Sequence, residues 1–213
     1  MSEALINQMR ESTIRRAIGP TILLGSGTYF DFEDPESSQI TLEDVAYGLA
    51  FTARCAGHCV SQHTGKRVFY SVAEHCVRMS YIVPIEIALQ ALWHEAGEAV
   101  CGDMTAPLKS LNPSYKAIEK RCEAAIQKRF GIEITDPVAI KEADLRMLAT
   151  ERRDLMPWDG ERWTAEEKAR PWPAVIFPWT SEEAADRWLR RHYELSLLGE
   201  TNPLNRRNDH ENS

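Results

Sequence analysis

The sequence predicts an all-α domain, and three observations carry that prediction. Apolar residues recur three and four apart through most of the 213 residues. Helix-start signals stand at Thr41, Ser71, Asn112-Pro113, Asp136-Pro137 and Ser181, each just ahead of such a run. Strand-like pattern is confined to two short pieces near the start. The expected architecture is a bundle of about six helices behind a short extended segment.

Taken in order, Thr21–Leu24 and Tyr29–Phe32 flank Gly25-Ser26-Gly27 and read as a hairpin, and Asp34–Ser38 reads as loop. Thr41 caps a helix with acid in its first turn, and Ile40 can staple to Val45. Val45, Ala46, Leu49, Ala50 and Ala53 make its buried stripe, which predicts a helix to about Arg54. A polar loop follows, with a tight turn at Thr64-Gly65. Ser71-Val72-Ala73-Glu74 has the form of a capping box and opens a helix that ends near Pro84. A third helix is predicted from about Ile85 to Cys101. The loop Thr105–Lys109 leads to Asn112-Pro113, a cap with proline in the first turn. Tyr115, Ile118, Cys122, Ala125, Ile126 and Phe130 then keep helical spacing until Gly131. Asp136-Pro137 opens the fifth helix, with Ile140, Ala143, Met147, Leu148 and Leu155 on its stripe. Residues 157–180, rich in Trp and Pro, read as an ordered cover loop. Ser181 caps a last amphipathic helix that ends at Gly199.

These elements make one domain over 1–199, with a core of about 40–156 and a cover loop and final helix over 157–199. Residues 200–213 read as a disordered polar tail. The formal net charge of −7 argues against nonspecific binding to a nucleic acid polymer or an anionic membrane. No apolar run approaches bilayer length, and the start Met1–Leu5 does not read as a secretory signal. Five cysteines, none two residues from another, read as reduced thiols of a cytoplasmic protein rather than a zinc knuckle. The apolar helices and Trp-rich cover suggest a homo-oligomer.

The third helix carries the chemistry. Residues 94–103 hold one imidazole and three carboxylates (His94, Glu95, Glu98, Asp103) behind the apolar run Ile85–Trp93. Buried carboxylates are costly unless they are paired or bind a metal. At about 100° per residue, His94 and Glu98 share a helix face. His75 and Asp144 also sit among apolar neighbours on their own helices. A divalent ion of hard or borderline character takes that mixture of nitrogen and oxygen donors. Each residue alone has a plain reading: His75 as a satisfied helix histidine, Asp144 as a salt-bridge partner of Arg146 or Arg152, and Glu95 and Glu98 as solvated charge. Their joint occurrence around one apolar helix favours a metal site of His75, His94, Glu95 and Asp144.

The ordered motifs Ser71–His75, His94–Glu98, Gly102–Lys109 and Glu142–Asp144 resemble the HD-domain metal-dependent phosphohydrolases. The likeness is greatest to the small bacterial 5′-deoxyribonucleotidase type and to a phage deoxynucleotide triphosphohydrolase relative. It spans about Phe30 to Leu155, and more loosely continues to Gly199. It implies an HD-domain helical bundle and hydrolysis of a nucleotide phosphate ester by a metal-activated water. His75, His94 and Asp144 match the family's metal ligands, Glu98 its water-positioning glutamate and Asp103 its proton donor. Arg54 stands where the family grips phosphate. Lys109 and the loop histidines His58 and His63 are further substrate contacts, although the histidines read equally as solvated loop residues. The implied cofactor is a divalent ion among Zn, Mn, Co, Fe, Ni and Mg, and the implied partner is a small-molecule phosphate, a nucleoside mono- or triphosphate.

Two departures from the family pattern matter. Cys55 follows Arg54 where the family often has an aromatic residue. Glu95 replaces the aspartate of the His-Asp pair, and one added methylene displaces a ligand by roughly an ångström, a shift that can cost about a hundredfold in rate. A non-catalytic or weakly active nucleotide-binding protein is therefore the alternative. A zincin protease is the other rival, and it needs histidine at position 98, where this chain has Glu98.

Overall fold

The computed structural model describes residues 19–161 and 169–201. Trp163 and residues 202–213 of the expected tail lie outside that range, while Glu200 and Thr201, also expected in the tail, extend the last helix past Gly199. The fold is all-α apart from one hairpin. Strand β1 (Thr21–Leu23) pairs antiparallel with β2 (Tyr29–Asp31), with Ile22 opposite Phe30. Phe30 drives into the core, and the hairpin turn is tied to the next helix by Ser26 N–H donating to Asp44 at 2.9 Å.

The helices are α1 (Leu42–Phe51), α2 (Val72–Met79), α3 (Ala88–Trp93), α4 (Glu98–Cys101), α5 (Ala106–Ser110), α6 (Pro113–Arg129), α7 (Pro137–Leu155) and α8 (Ser181–Thr201). Local chemistry explains their starts. Thr41 and Asp44 cap α1 reciprocally. Ser71 accepts from the Glu74 amide at α2, and Asp136 accepts from the Ala139 amide at α7. Helix α8 packs across α1, α2 and α3. The seam is filled by Trp93 and Trp188, both fully buried, with their rings edge to face at 4.9 Å. A second apolar cluster, including Tyr70, Met79, Met147 and Leu155, lies where α2 and α7 meet.

Several expected boundaries move. Helix α1 stops at Phe51 rather than Arg54, because the chain leaves it to bridge Ala53 with Ser71. Helix α2 ends at Met79, short of Pro84. The Glu74 side chain does not complete the expected capping box. It pairs with Arg78 at 2.6 Å and accepts from the Trp179 amide at 2.8 Å. Thr105–Lys109, expected as loop, instead caps and forms most of α5.

The predicted helix 85–101 is broken. A 3-10 turn at Ile85–Ile87 precedes α3, and residues 94–97 separate α3 from α4. Across the break, bonds run three residues back, as in Ala96 N–H to Trp93 O and Glu98 N–H to Glu95 O. Close approach of α6 accompanies the break: a Cβ at Gly97 would stand 3.0 Å from both Glu119 O and Glu123 Cβ. The tighter winding turns Glu98 inward, where it is 2% exposed, while Glu95 keeps partial access to solvent.

The cover segment is sewn to both helices that flank the second cluster. Arg153 donates to Trp172 O and Ala174 O, both at 2.8 Å, and the Ile176 amide donates to Asp154 at 2.8 Å. Trp179 lies between the guanidinium groups of Arg78 and Arg187, at 4.6 and 4.3 Å.

Candidate metal centre

Three helical regions bring His75, His94, Glu95 and Asp144 together, with one ligand atom of each lying within 4.8 Å of the others. His75 comes from α2, His94 and Glu95 from the tight turn after α3, and Asp144 from α7. The two imidazole Nε2 atoms are 3.3 Å apart. Glu95 Oε1 is 3.6 Å from His94 Nε2, and Asp144 Oδ1 is 3.6 Å from His75 Nε2.

The hydrogen bonds behind the rings decide what the front of the site can do. His94 Nδ1 is 2.8 Å from Ala91 O, a carbonyl that can only accept, so Nδ1 carries the proton. His75 Nδ1 is 2.6 Å from Glu151 Oε1, and Glu151 is buried. Burial pushes the Glu151 carboxyl up, but Arg54 and His75 beside it hold it below the ordinary range, so it is an acceptor. Both Nδ1 atoms are therefore donors, and in the neutral rings both Nε2 atoms present lone pairs to each other. Burial lowers the His94 pKa and favours that neutral ring. Two facing lone pairs with two carboxylates around them have no hydrogen to share. A cation is the group this arrangement fits, and 3.3 Å suits two nitrogens each about 2.0–2.1 Å from one ion. Asp144 is suited to the same role: burial pushes it up, yet His75, His94 and Lys141 hold its carboxyl well below the usual carboxylate range. Its Oδ1 faces His75 Nε2, and its Oδ2 is ion-paired with Lys141 at 2.7 Å.

Arg54 enters from a strained turn. Cys55, Ala56 and Gly57 take positive φ values of 55°, 52° and 75°. The first two are non-glycine residues, each costing about 1–2 kcal/mol in that region. The turn aims the Cys55 N–H at Asp103 Oδ2, at 3.3 Å, and leaves the Arg54 guanidinium inside. Arg54 lies 3.5 Å from Glu151, 3.8 Å from Asp103 and 3.9 Å from Glu95. Burial alone would lower its pKa, but Glu151, Asp103 and Glu95 raise it, so the guanidinium is firmly charged.

Glu98 lies beside this group. Its Oε1 is 3.7 Å from Lys109, and its buried Oε2 has no hydrogen-bond partner among the described residues. Burial, then Glu95 and Asp103, push its pKa well above the ordinary value. Lys109 is committed to Glu119 at 2.8 Å as well as to Glu98, so it balances acid at the site. His58 is exposed at the end of the strained turn, and His63 lies 3.6 Å from Asp154 with its ring tilted against that of Phe177, the centroids 5.4 Å apart.

Sequence reasoning missed Glu151. It sits seven residues after Asp144 on the same helix stripe, and an acid at that spacing between Met147 and Leu155 was the available signal. All five cysteines are free thiols. Among the described residues no helix is long and apolar enough to cross a membrane.

No family model matches the chain. Over 177 residues it is 43% identical to the uncharacterized protein YfdR of Escherichia coli (strain K12), covering 81% of this chain and 94% of that protein. It is 36% identical over 126 residues to an uncharacterized protein of Rhodobacter capsulatus, covering 55% of this chain and 62% of that one.

Proposed function

We propose that this chain, which belongs to the YfdR family, is a metal-dependent phosphohydrolase acting on a nucleotide or related phosphate ester. The reading includes the HD-domain resemblance of its motifs. The observation that carries it is the pair of imidazoles whose Nε2 lone pairs face each other at 3.3 Å beside two carboxylates.

His75, His94, Glu95 and Asp144 would hold the ion. When bound, a divalent ion supplies positive charge to phosphoryl oxygens and acidifies a water. The remaining work falls to the chain. Arg54 offers a fixed, charged fork of N–H donors to phosphate oxygens. Glu98, with a buried oxygen that has no partner among the described residues, orients a water and takes its proton. Asp103, braced by the Cys55 amide beside Arg54, stands in the proton-donor place and, in its protonated form, gives that proton to the leaving oxygen. Lys109 keeps Glu98 and Glu119 from stacking up uncompensated negative charge.

The deciding experiment is a screen of phosphate release from nucleoside mono- and triphosphates with Mn, Co, Zn, Ni, Fe and Mg ions, with His75→Ala as blank. Release above the blank with at least one ion is expected. Release no greater than the blank with every pair, from a chain that still binds an ion, would leave a non-catalytic nucleotide-binding protein instead.

A further inference from the structure

Glu151 is 1% exposed and faces two groups at once. Its Oε1 accepts from His75 Nδ1 at 2.6 Å, and its Oε2 lies 3.5 Å from Arg54 Nη2. We propose that this one carboxylate is a positioning residue for the cation and a resident competitor for the anion. It fixes the His75 ring in its ligating form and occupies Arg54 until a phosphate displaces it. The inference rests on reading the four-residue group as a cation site and is independent of turnover.

The first role follows from hydrogen-bond chemistry. A carboxylate can only accept, so it keeps the proton on His75 Nδ1 and the lone pair on Nε2. An amide in its place can turn its NH2 towards Nδ1, which moves the ring proton to Nε2 and blocks the ligand position. Loss of such an outer partner weakens metal binding by about ten- to a hundredfold. The second role follows from charge. Arg54 is 11% exposed and already has Glu95, Asp103 and Glu151 within 4 Å. An incoming anion competes with all three for one guanidinium, so removing the Glu151 charge leaves more of its field for phosphate.

The two roles give opposite signs, which a merely structural role does not. The test titrates the full chain and Glu151→Gln with Mn2+, then titrates inorganic phosphate onto the Mn2+-saturated proteins. Circular dichroism confirms the fold. Glu151→Gln should raise the Mn2+ dissociation constant about ten- to a hundredfold and lower that for phosphate about threefold or more. A Mn2+ constant within about threefold of the parent chain overturns the proposal, as does phosphate binding that is unchanged or weakened. Should Glu151→Gln fail to fold, 15N NMR of the cation-free parent decides. The expected state has the His75 proton on Nδ1, and a proton on Nε2 alone overturns it. Mn2+ binding without phosphate release would sink the hydrolase reading and leave this one standing. A parent chain that binds no Mn2+ would sink both.

Discussion

Replacing Glu98 by Gln should stabilise the cation-free protein at alkaline pH while removing turnover. Glu98 is 2% exposed, one of its oxygens has no partner among the described residues, and its nearest cation, Lys109, is 3.7 Å away. A buried acceptor left in that state costs about 1–3 kcal/mol. The pH dependence has a definite sign. Burial, with Glu95 and Asp103, lifts the folded pKa well above 4.5, so the folded chain holds this proton more tightly than the unfolded one. The penalty is absent well below 4.5, grows as pH climbs towards the folded value and stays constant above it. Differential scanning calorimetry with chelator at pH 5 and pH 8 reads it out. For a chain of this size the gain in Tm at pH 8 should be about 2–10 °C, shrinking towards zero at pH 5. Phosphate release with a divalent ion should fall about 10²–10⁴-fold, as expected for loss of a general base. A gain of equal size at both pH values, or a Glu98→Gln chain that turns over normally, would refute the reasoning.

The other predictions concern how the site is held. In Gly48→Ala a Cβ would stand 2.5 Å from Ala99 O, so α1 must lift from α4, costing about 1–3 kcal/mol. Chemical denaturation measures this, and an unchanged midpoint would mean that the contact is not tight. Asp154→Asn should cost about 2–3 kcal/mol at pH 7, because Asp154 is 1% exposed and accepts from Arg153 and Ile176. Burial pushes its pKa up but Arg153 and Ile176 bring it below 3.8, so the loss should fade as pH drops through that value. Equal losses at pH 7 and pH 3 would count against it. Glu95→Asp should keep or raise phosphate release, since aspartate stands at this position in the phosphohydrolases that the motifs resemble. A fall in turnover with an unchanged Tm would overturn that account of position 95.

The sequence by itself determined the all-α class, most helix starts and the residue types of the site. Those are local properties: Thr41 with Asp44, and Asp136 with Ala139, act over three residues, and the apolar stripes repeat every turn. His75, His94 and Asp144 were legible because each is a titratable group among apolar neighbours on its helix, and Glu95 because it follows His94 directly behind an apolar run. Tertiary structure alone decided the rest. The break at residues 94–97 arises where α6 presses on Gly97, and nothing in residues 85–101 encodes the position of a helix that starts at Pro113. Glu151 became part of the site because α7 crosses α2 and sets its carboxylate 2.6 Å from His75, a contact 76 residues apart in sequence. Arg54 faces three carboxylates only because its strained turn closes against Asp103. Hydrogen bonds and charge pairs act over a few ångströms, so which distant residues share them is settled when the helices pack.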